Sequence, residues 1–85
     1  MFVVVVYDVG VERLAKVRRI LSRYLLWTQN SVFEGDIDRE SLQELLEYLD
    51  MAIDRAHDRI RVYVREKGNM EIHTLGYDKA TYSVI

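Results

Sequence analysis

The amino-acid sequence predicts an α+β fold in which two amphipathic helices cover one face of an antiparallel sheet. A Val-rich run at residues 2–7 is typical of a buried strand. Two later segments repeat apolar residues at helical spacing. Arg59–Glu66 alternates apolar and polar residues, as a half-buried strand does. The chain has 85 residues, so we expect residues 1–85 to form a single domain.

The first helix is predicted to follow the Val-rich strand and to run from about Val11 to Leu26. Apolar residues at helical spacing form its buried stripe: Leu14, Val17, Leu21, Tyr24 and Leu25. Its remaining positions carry five bases and no acid between them: Arg13, Lys16, Arg18, Arg19 and Arg23. Such a face is either simply solvated or binds phosphate groups. We favour phosphate binding by Arg13, Lys16 and Arg19, because a neutral face needs fewer bases.

The segment from Trp27 to Glu34 is rich in β-branched and aromatic residues. It is predicted to form either one bent strand or a hairpin that turns near Gln29 and Asn30. Trp27 itself is expected in the core, because a single aromatic beside a helix end more often packs than stacks on a base. A second helix is predicted to follow Asp38 as its N-cap, with an acidic, solvated outer side. Its buried stripe contains Leu42, Leu45, Leu46, Leu49 and Ile53.

A strand over Arg59–Glu66, a turn at 67–69 and a short strand over Met70–Leu75 are predicted to complete the sheet. The tail from Ala80 to Ile85 is expected to be extended. This order of elements predicts a ferredoxin-like βαββαβ sandwich with an extra short C-terminal strand.

One face of the predicted sheet has no helix to cover it. Val4 and Val6 share the parity of Asp8, and a bare apolar face marks an interface. A chain this short also buries a modest core, which dimerisation remedies. We therefore expect a homodimer, with Met70–Leu75 adding to the partner's sheet edge.

The bulk composition excludes some classes of protein. The sequence has no cysteine, so disulfides are excluded and a reducing compartment is permitted. No apolar run is long enough to span a bilayer, and the N-terminus lacks a signal-peptide pattern, so we expect no membrane association and a cytoplasmic location. The net charge of −2 hides a basic element at 13–23 and an acidic one at 34–58.

Asp8 ends the Val-rich run in a carboxylate. A charge at the end of a buried strand lies at the rim of the sheet, where ligands and metals bind. The alternative is that Asp8 caps the following helix, since Asp is a preferred N-cap residue.

Two motifs together resemble the small CRISPR-associated adaptation proteins of the Cas-two family. The first strand ends in Tyr7-Asp8, and the later segment reads Gln29-Asn30-Ser31-Val32-Phe33-Glu34-Gly35. The basic helix lies between these motifs, and Arg61-Val62-Tyr63 follows the acidic helix. The resemblance covers essentially the whole chain.

The resemblance implies a homodimer in which the two sheets face each other and an Asp8 from each subunit shares a divalent metal. Asp8 is then both catalytic residue and metal ligand, with Mg²⁺ or Mn²⁺ as the ion. Tyr7 and Ser31 are the residues expected to support it. The implied activity is metal-dependent hydrolysis of RNA or DNA phosphodiesters, in single-stranded RNA or duplex DNA, during spacer acquisition with the CRISPR integrase subunit.

Three functions remain open from the sequence: a nuclease, a non-catalytic duplex-DNA scaffold that bridges two integrase dimers, and a regulatory domain that binds a small ligand. The regulatory domain would not need the basic helix. His57 and His73 lack metal-ligand spacing. Because no histidine is expected to accompany Asp8 as a general base, the scaffold is somewhat favoured.

Overall fold

The computed structural model describes residues 1–77, which form a five-stranded antiparallel sheet and two helices. The predicted tail at 80–85 lies outside the described residues. Along the chain the elements are β1 (Phe2–Asp8), α1 (Val11–Ser22), β2 (Leu26–Gln29), β3 (Val32–Asp36), α2 (Arg39–Ala52), β4 (Arg59–Glu66) and β5 (Asn69–Gly76).

The strand order β2-β3-β1-β4-β5 confirms the ferredoxin-like prediction with one extra strand. β1 is central and pairs antiparallel with β3 on one side and β4 on the other. Its odd-numbered residues face the helices. They pack in one core with residues from the helices and the neighbouring strands: Val3, Val5, Tyr7, Val17, Leu21, Phe33, Leu45, Leu49, Ile60 and Val62.

The helix α1 ends at Ser22, four residues before the predicted end at Leu26. The apolar stripe continues past the helix because Leu25 is still buried, with its N–H bonded to the Leu21 carbonyl at 2.8 Å. Leu26 then pairs with Glu34 of β3, so the chain leaves the helix to form sheet. No glycine or proline marks this end in the sequence.

The segment after α1 is a hairpin, which confirms the second of the two predicted forms. β2 and β3 pair antiparallel around Asn30 and Ser31, with a bulge between Trp27 and Gln29. Asn30 has a φ of 43°, a left-handed conformation that Asn tolerates better than most residues.

Predictions for the second half of the chain are largely confirmed. Asp38 caps α2, its carboxylate accepting the Ser41 N–H at 2.8 Å. β4 has the predicted bounds, with Ile60, Val62 and Val64 buried.

The last strand, β5, is longer than predicted and lies at the edge of the sheet. It runs antiparallel to β4 of the same chain along its whole length. This pairing uses one side of β5 and leaves β5 at the edge of the sheet, so its addition to a partner's sheet edge stays a prediction.

The sheet face opposite the helices, here called the open face, is uncovered. It carries Phe2, Val4, Val6 and Asp8 from β1, and Phe2 and Val6 are 38% and 40% exposed. The shared parity of Val4, Val6 and Asp8 is confirmed. Within residues 1–77, neither helix has the length and apolar character needed to cross a bilayer.

Candidate metal and nucleic-acid site

Asp8 is the last residue of β1 and is exposed on the open face. Its Cα lies opposite Arg59 of β4 in the antiparallel register. The capping alternative is wrong: α1 begins at Val11, its N-cap is Gly10, and no side chain caps it. The Asp8 carboxylate is thus positioned by a strand that is paired with a neighbour on each side.

The loop after Asp8 is fixed by a buried carboxylate, Asp58. The side chain of Asp58 is fully buried and accepts four hydrogen bonds. The Gly10 N–H donates to Oδ1 at 2.8 Å and the Asp54 N–H donates to Oδ2 at 2.9 Å. Nε and Nη2 of Arg13 donate to the two carboxylate oxygens. Asp58 therefore joins the Asp8 loop, the start of α1 and the loop before β4.

Hydrogen bonding between Asp58 and Arg13 favours the charged form of both side chains. The hydrogen bonds from Arg13, more than the backbone donors, hold the pKa of Asp58 well below its usual range. The same contact raises the pKa of the Arg13 guanidinium. The sequence analysis included Asp58 only in the acidic segment at 34–58, and its position just before a strand was the one local sign of a special role.

The backbone of Asp58 also fixes the end of β5. Its carbonyl accepts the Tyr77 N–H at 3.1 Å. Gly76 has a φ of 83°, and a Cβ there would lie 2.0 Å from the Asp58 carbonyl oxygen. Only glycine allows this close approach of the two backbones.

The basic residues of α1 fall into two groups. Arg13 is about a quarter exposed and is engaged by Asp58. Lys16, Arg18, Arg19 and Arg23 are exposed and form no ion pair within the described part of the chain. Lys16 and Arg19 are three residues apart and therefore share a helix face. Of the three predicted phosphate ligands, these two are the ones whose side chains are exposed and not engaged by Asp58.

Tyr7 and Ser31 lie beside Asp8 in the backbone, but their side chains are differently placed. The Tyr7 ring is buried on the helix side of the sheet, opposite Asp8, and lies 6.0 Å from the Phe33 ring. Its N–H donates to the Ser31 carbonyl at 3.1 Å. Tyr7 therefore anchors the strand end, whereas the half-buried Ser31 lies at the hairpin next to it.

Two arginines on the open face were missed as site residues. Arg59 and Arg61 lie on β4 opposite Asp8 and Val6. Their Nε atoms are inaccessible to solvent and have no acceptor among residues 1–77. The Arg61 guanidinium lies 5.7 Å from the centre of the Tyr63 ring. The alternation of β4 was the signal, since it puts both arginines on the face of Asp8.

Each of the two histidines contacts an acidic side chain close to it in sequence. His57 is exposed, as predicted, and its Nδ1 is 3.0 Å from Asp54 Oδ2. His73 lies opposite Val62 on the helix side of the sheet, with its Nε2 3.1 Å from Glu71 Oε1. Hydrogen bonds from Arg39, and second from His73, lower the pKa of Glu71 to about 2. The His73 ring is therefore not on the open face, and His57 lies in the loop before β4.

A single chain supplies few metal ligands. Among the residues that the structure describes, no three His, Cys, Asp or Glu side chains are grouped to hold an ion. The Asp8 carboxylate has the oxygen donors that Mg²⁺ and Mn²⁺ prefer. It fits a hard cation only if water, substrate or a second chain completes the coordination.

The fold and the strand-end carboxylate define a small ferredoxin-like α+β protein with a candidate site at one end of its sheet. The model of the CRISPR associated protein Cas2 family matches residues 1–72, and the chain belongs to that family. The family resemblance seen in the sequence is thereby confirmed.

Individual relatives match nearly the whole chain. It is 43% identical to a CRISPR-associated endoribonuclease Cas2 of Methanosarcina acetivorans, over 100% of this chain and 99% of that protein. It is 42% identical to a CRISPR-associated endoribonuclease Cas2 of Pyrococcus furiosus, over 93% and 92% of the two chains. A solved crystal structure of Cas2 superposes with a TM-score of 0.75 at 41% identity, over 94% of this chain and 91% of that one.

Proposed function

We propose that this protein is a homodimeric, Mg²⁺- or Mn²⁺-dependent endonuclease that hydrolyses nucleic-acid phosphodiesters during CRISPR spacer acquisition. The observation that carries the proposal is Asp8. It is exposed at the end of the central strand, in a chain 43% identical to a protein named as an endoribonuclease. The proposed place of action is the cytoplasm, where a chain without cysteine needs no disulfide.

The charge pattern of the open face supports a dimer with one particular symmetry. Glu34 and Asp36 make its β3 half acidic, whereas Arg59, Arg61 and Arg65 make its β4 half basic. A twofold axis along β1 places the acidic half of one copy over the basic half of the other. An axis across β1 would oppose like charges. The axis along β1 also brings the two Asp8 carboxylates to the same level, close to the axis.

In this dimer the two Asp8 carboxylates would hold the metal ion. When bound, the ion polarises a phosphate and lowers the pKa of an attacking water. Arg59, directly opposite Asp8 on the neighbouring strand β4, offers a guanidinium to neutralise the remaining charge near the axis. Lys16 and Arg19 would hold the nucleic-acid backbone from α1.

The test is a nuclease assay on labelled RNA and DNA with the wild type and Asp8→Asn, with and without Mn²⁺. We expect the variant to lose cleavage by at least about 100-fold, because a neutral amide is a poor ligand for a hard cation. Glu47→Gln, which removes an exposed carboxylate from α2, is the matched control and should cleave normally. Equal cleavage by Asp8→Asn and the wild type would refute the catalytic proposal.

A second candidate is a non-catalytic scaffold that binds duplex DNA and bridges two dimers of the integrase subunit. The position of the histidines favours it, because His73 is on the helix side of the sheet and His57 is engaged by Asp54 in the loop before β4, so neither is placed as a general base for Asp8. On this proposal Asp8→Asn keeps duplex binding and integrase association, and the wild type shows no metal-dependent cleavage in the same assay.

A further inference from the structure

Trp27 contradicts the expectation that it packs in the core. It lies in β2 and is 53% exposed, next to Leu26, which is 75% exposed. A tryptophan that exposes more than half of its surface offers a large apolar ring, which is stabilised when a partner covers it.

The ring is held in place by the hairpin. The indole N–H donates to the Asn30 carbonyl at 3.0 Å. The Tyr7 hydroxyl donates to the same carbonyl at 3.4 Å. The only polar atom of the indole is thus satisfied, while its flat surface stays open. A ring fixed in advance loses little rotamer freedom when a partner stacks on it.

The position of Trp27 connects it with the candidate site. Because Tyr7 precedes Asp8, the shared Asn30 carbonyl places the indole N–H at the Asp8 end of the sheet. Trp27 pairs with Phe33 and so belongs to the helix side of the sheet. A dimer formed through the open face would therefore leave it uncovered. The helix α1, with its exposed cations, packs against β2.

We infer that Trp27 is a stacking platform for an unpaired base of a single-stranded nucleic acid bound along α1. The cations of α1 suit a polyanion, and an exposed aromatic face suits any of the bases. Paired bases in a duplex are already stacked on their neighbours, so the platform selects single strands. This inference rests on the proposed function only in requiring that the protein binds nucleic acid.

Trp27 is the only tryptophan in the chain, so its fluorescence reports on this position alone. Titration with a short single-stranded RNA should quench the emission, because a base stacks on the ring. A strand of equal length and charge with abasic sites should bind more weakly and quench little. A duplex of the same sequence should also leave the emission nearly unchanged.

Variants separate stacking from charge and from folding. Trp27→Ala should weaken single-strand binding about tenfold or more, whereas Trp27→Phe should retain most of the affinity. Leu26→Ala, which removes the neighbouring exposed apolar side chain, is the matched control and should bind normally. Melting curves show whether Trp27→Ala has lost affinity because it is unfolded. In that case the single-strand affinity of Trp27→Phe is the deciding measurement.

Two outcomes overturn the inference: unchanged single-strand affinity in folded Trp27→Ala, or equal affinity of the abasic strand. Failure of the nuclease proposal is a separate result. Asp8→Asn should lose cleavage but keep the quenching, so a protein without turnover that still shows quenching leaves the platform intact.

Discussion

Asp58 is the residue on which the geometry of the candidate site depends most directly. A fully buried carboxylate is tolerated only when it is paired and hydrogen-bonded, and Asp58 has four donors. Its contact with the Gly10 N–H orients the loop that leaves Asp8. The same contacts occupy Arg13, which is why Lys16 and Arg19 are the stronger candidates for phosphate binding.

Replacing Asp58 by Asn should lower the free energy of unfolding at pH 7 by roughly 3 kcal/mol, because Arg13 loses its charged partner. The pKa of Asp58 is lowered in the folded state, so its contribution is fully present above the unfolded value of 3.8. That contribution is lost as the pH falls from about 4 toward the folded pKa. The difference between the two proteins should therefore shrink in acid.

Urea unfolding at pH 7 and at pH 3 measures this difference, with Glu47→Gln as a control that should match the wild type at both values. An Asn variant as stable as the wild type at pH 7 would contradict the role given to Asp58.

At the scale of the element, α1 combines a packing face with the face proposed to bind nucleic acid. Val17 and Leu21 are buried, whereas Lys16 and Arg19 are exposed one turn apart on the opposite side. The two functions are separable because they use different faces of the helix.

The double variant Lys16→Gln, Arg19→Gln should bind all nucleic acids more weakly, whatever their sequence. Each lost phosphate contact should reduce the slope of log K against log salt by about 0.9 on duplex DNA. Lys67→Gln is the control. It removes a charge in the turn between β4 and β5, at the end of the sheet opposite to Asp8. Filter binding at several salt concentrations measures the slopes. An unchanged slope in the double variant would place the binding surface elsewhere.

At the scale of the whole molecule, the proposed dimer depends on the open face. The helices cover one side of the sheet, so apolar residues of β1 and charged residues of β3 and β4 stay uncovered on the other. With the axis along β1, Asp36 of one copy lies over Arg65 of the other, because both residues share the row of Phe2.

Arg65→Glu should therefore disrupt the proposed dimer, since it opposes two acidic groups. Adding Asp36→Arg to the same chain should restore association by exchanging the two charges. Sedimentation at micromolar concentration would show both effects. A dimeric Arg65→Glu variant, or a double variant that stays monomeric, would argue against this axis.

Sequence alone determined the features that neighbouring residues encode. The alternation of 59–66, the apolar stripe and Asp38 cap of α2, and the Val-rich central strand all depend on local periodicity and capping. The Tyr7-Asp8 and 29–35 motifs were likewise sufficient to identify the family, because both are contiguous in the chain. The position of Asp8 at a strand end followed from the same reasoning.

Only the tertiary structure decided which polar residues are buried and which apolar ones are exposed. Asp58 is buried because its partner Arg13 lies 45 residues away in sequence, and no local pattern signals such a pair. Trp27 is exposed because its strand is at the edge of the sheet, and α1 stops early because Leu26 finds a partner on β3. Burial depends on what the rest of the chain brings to a position, and therefore on contacts that are distant in sequence.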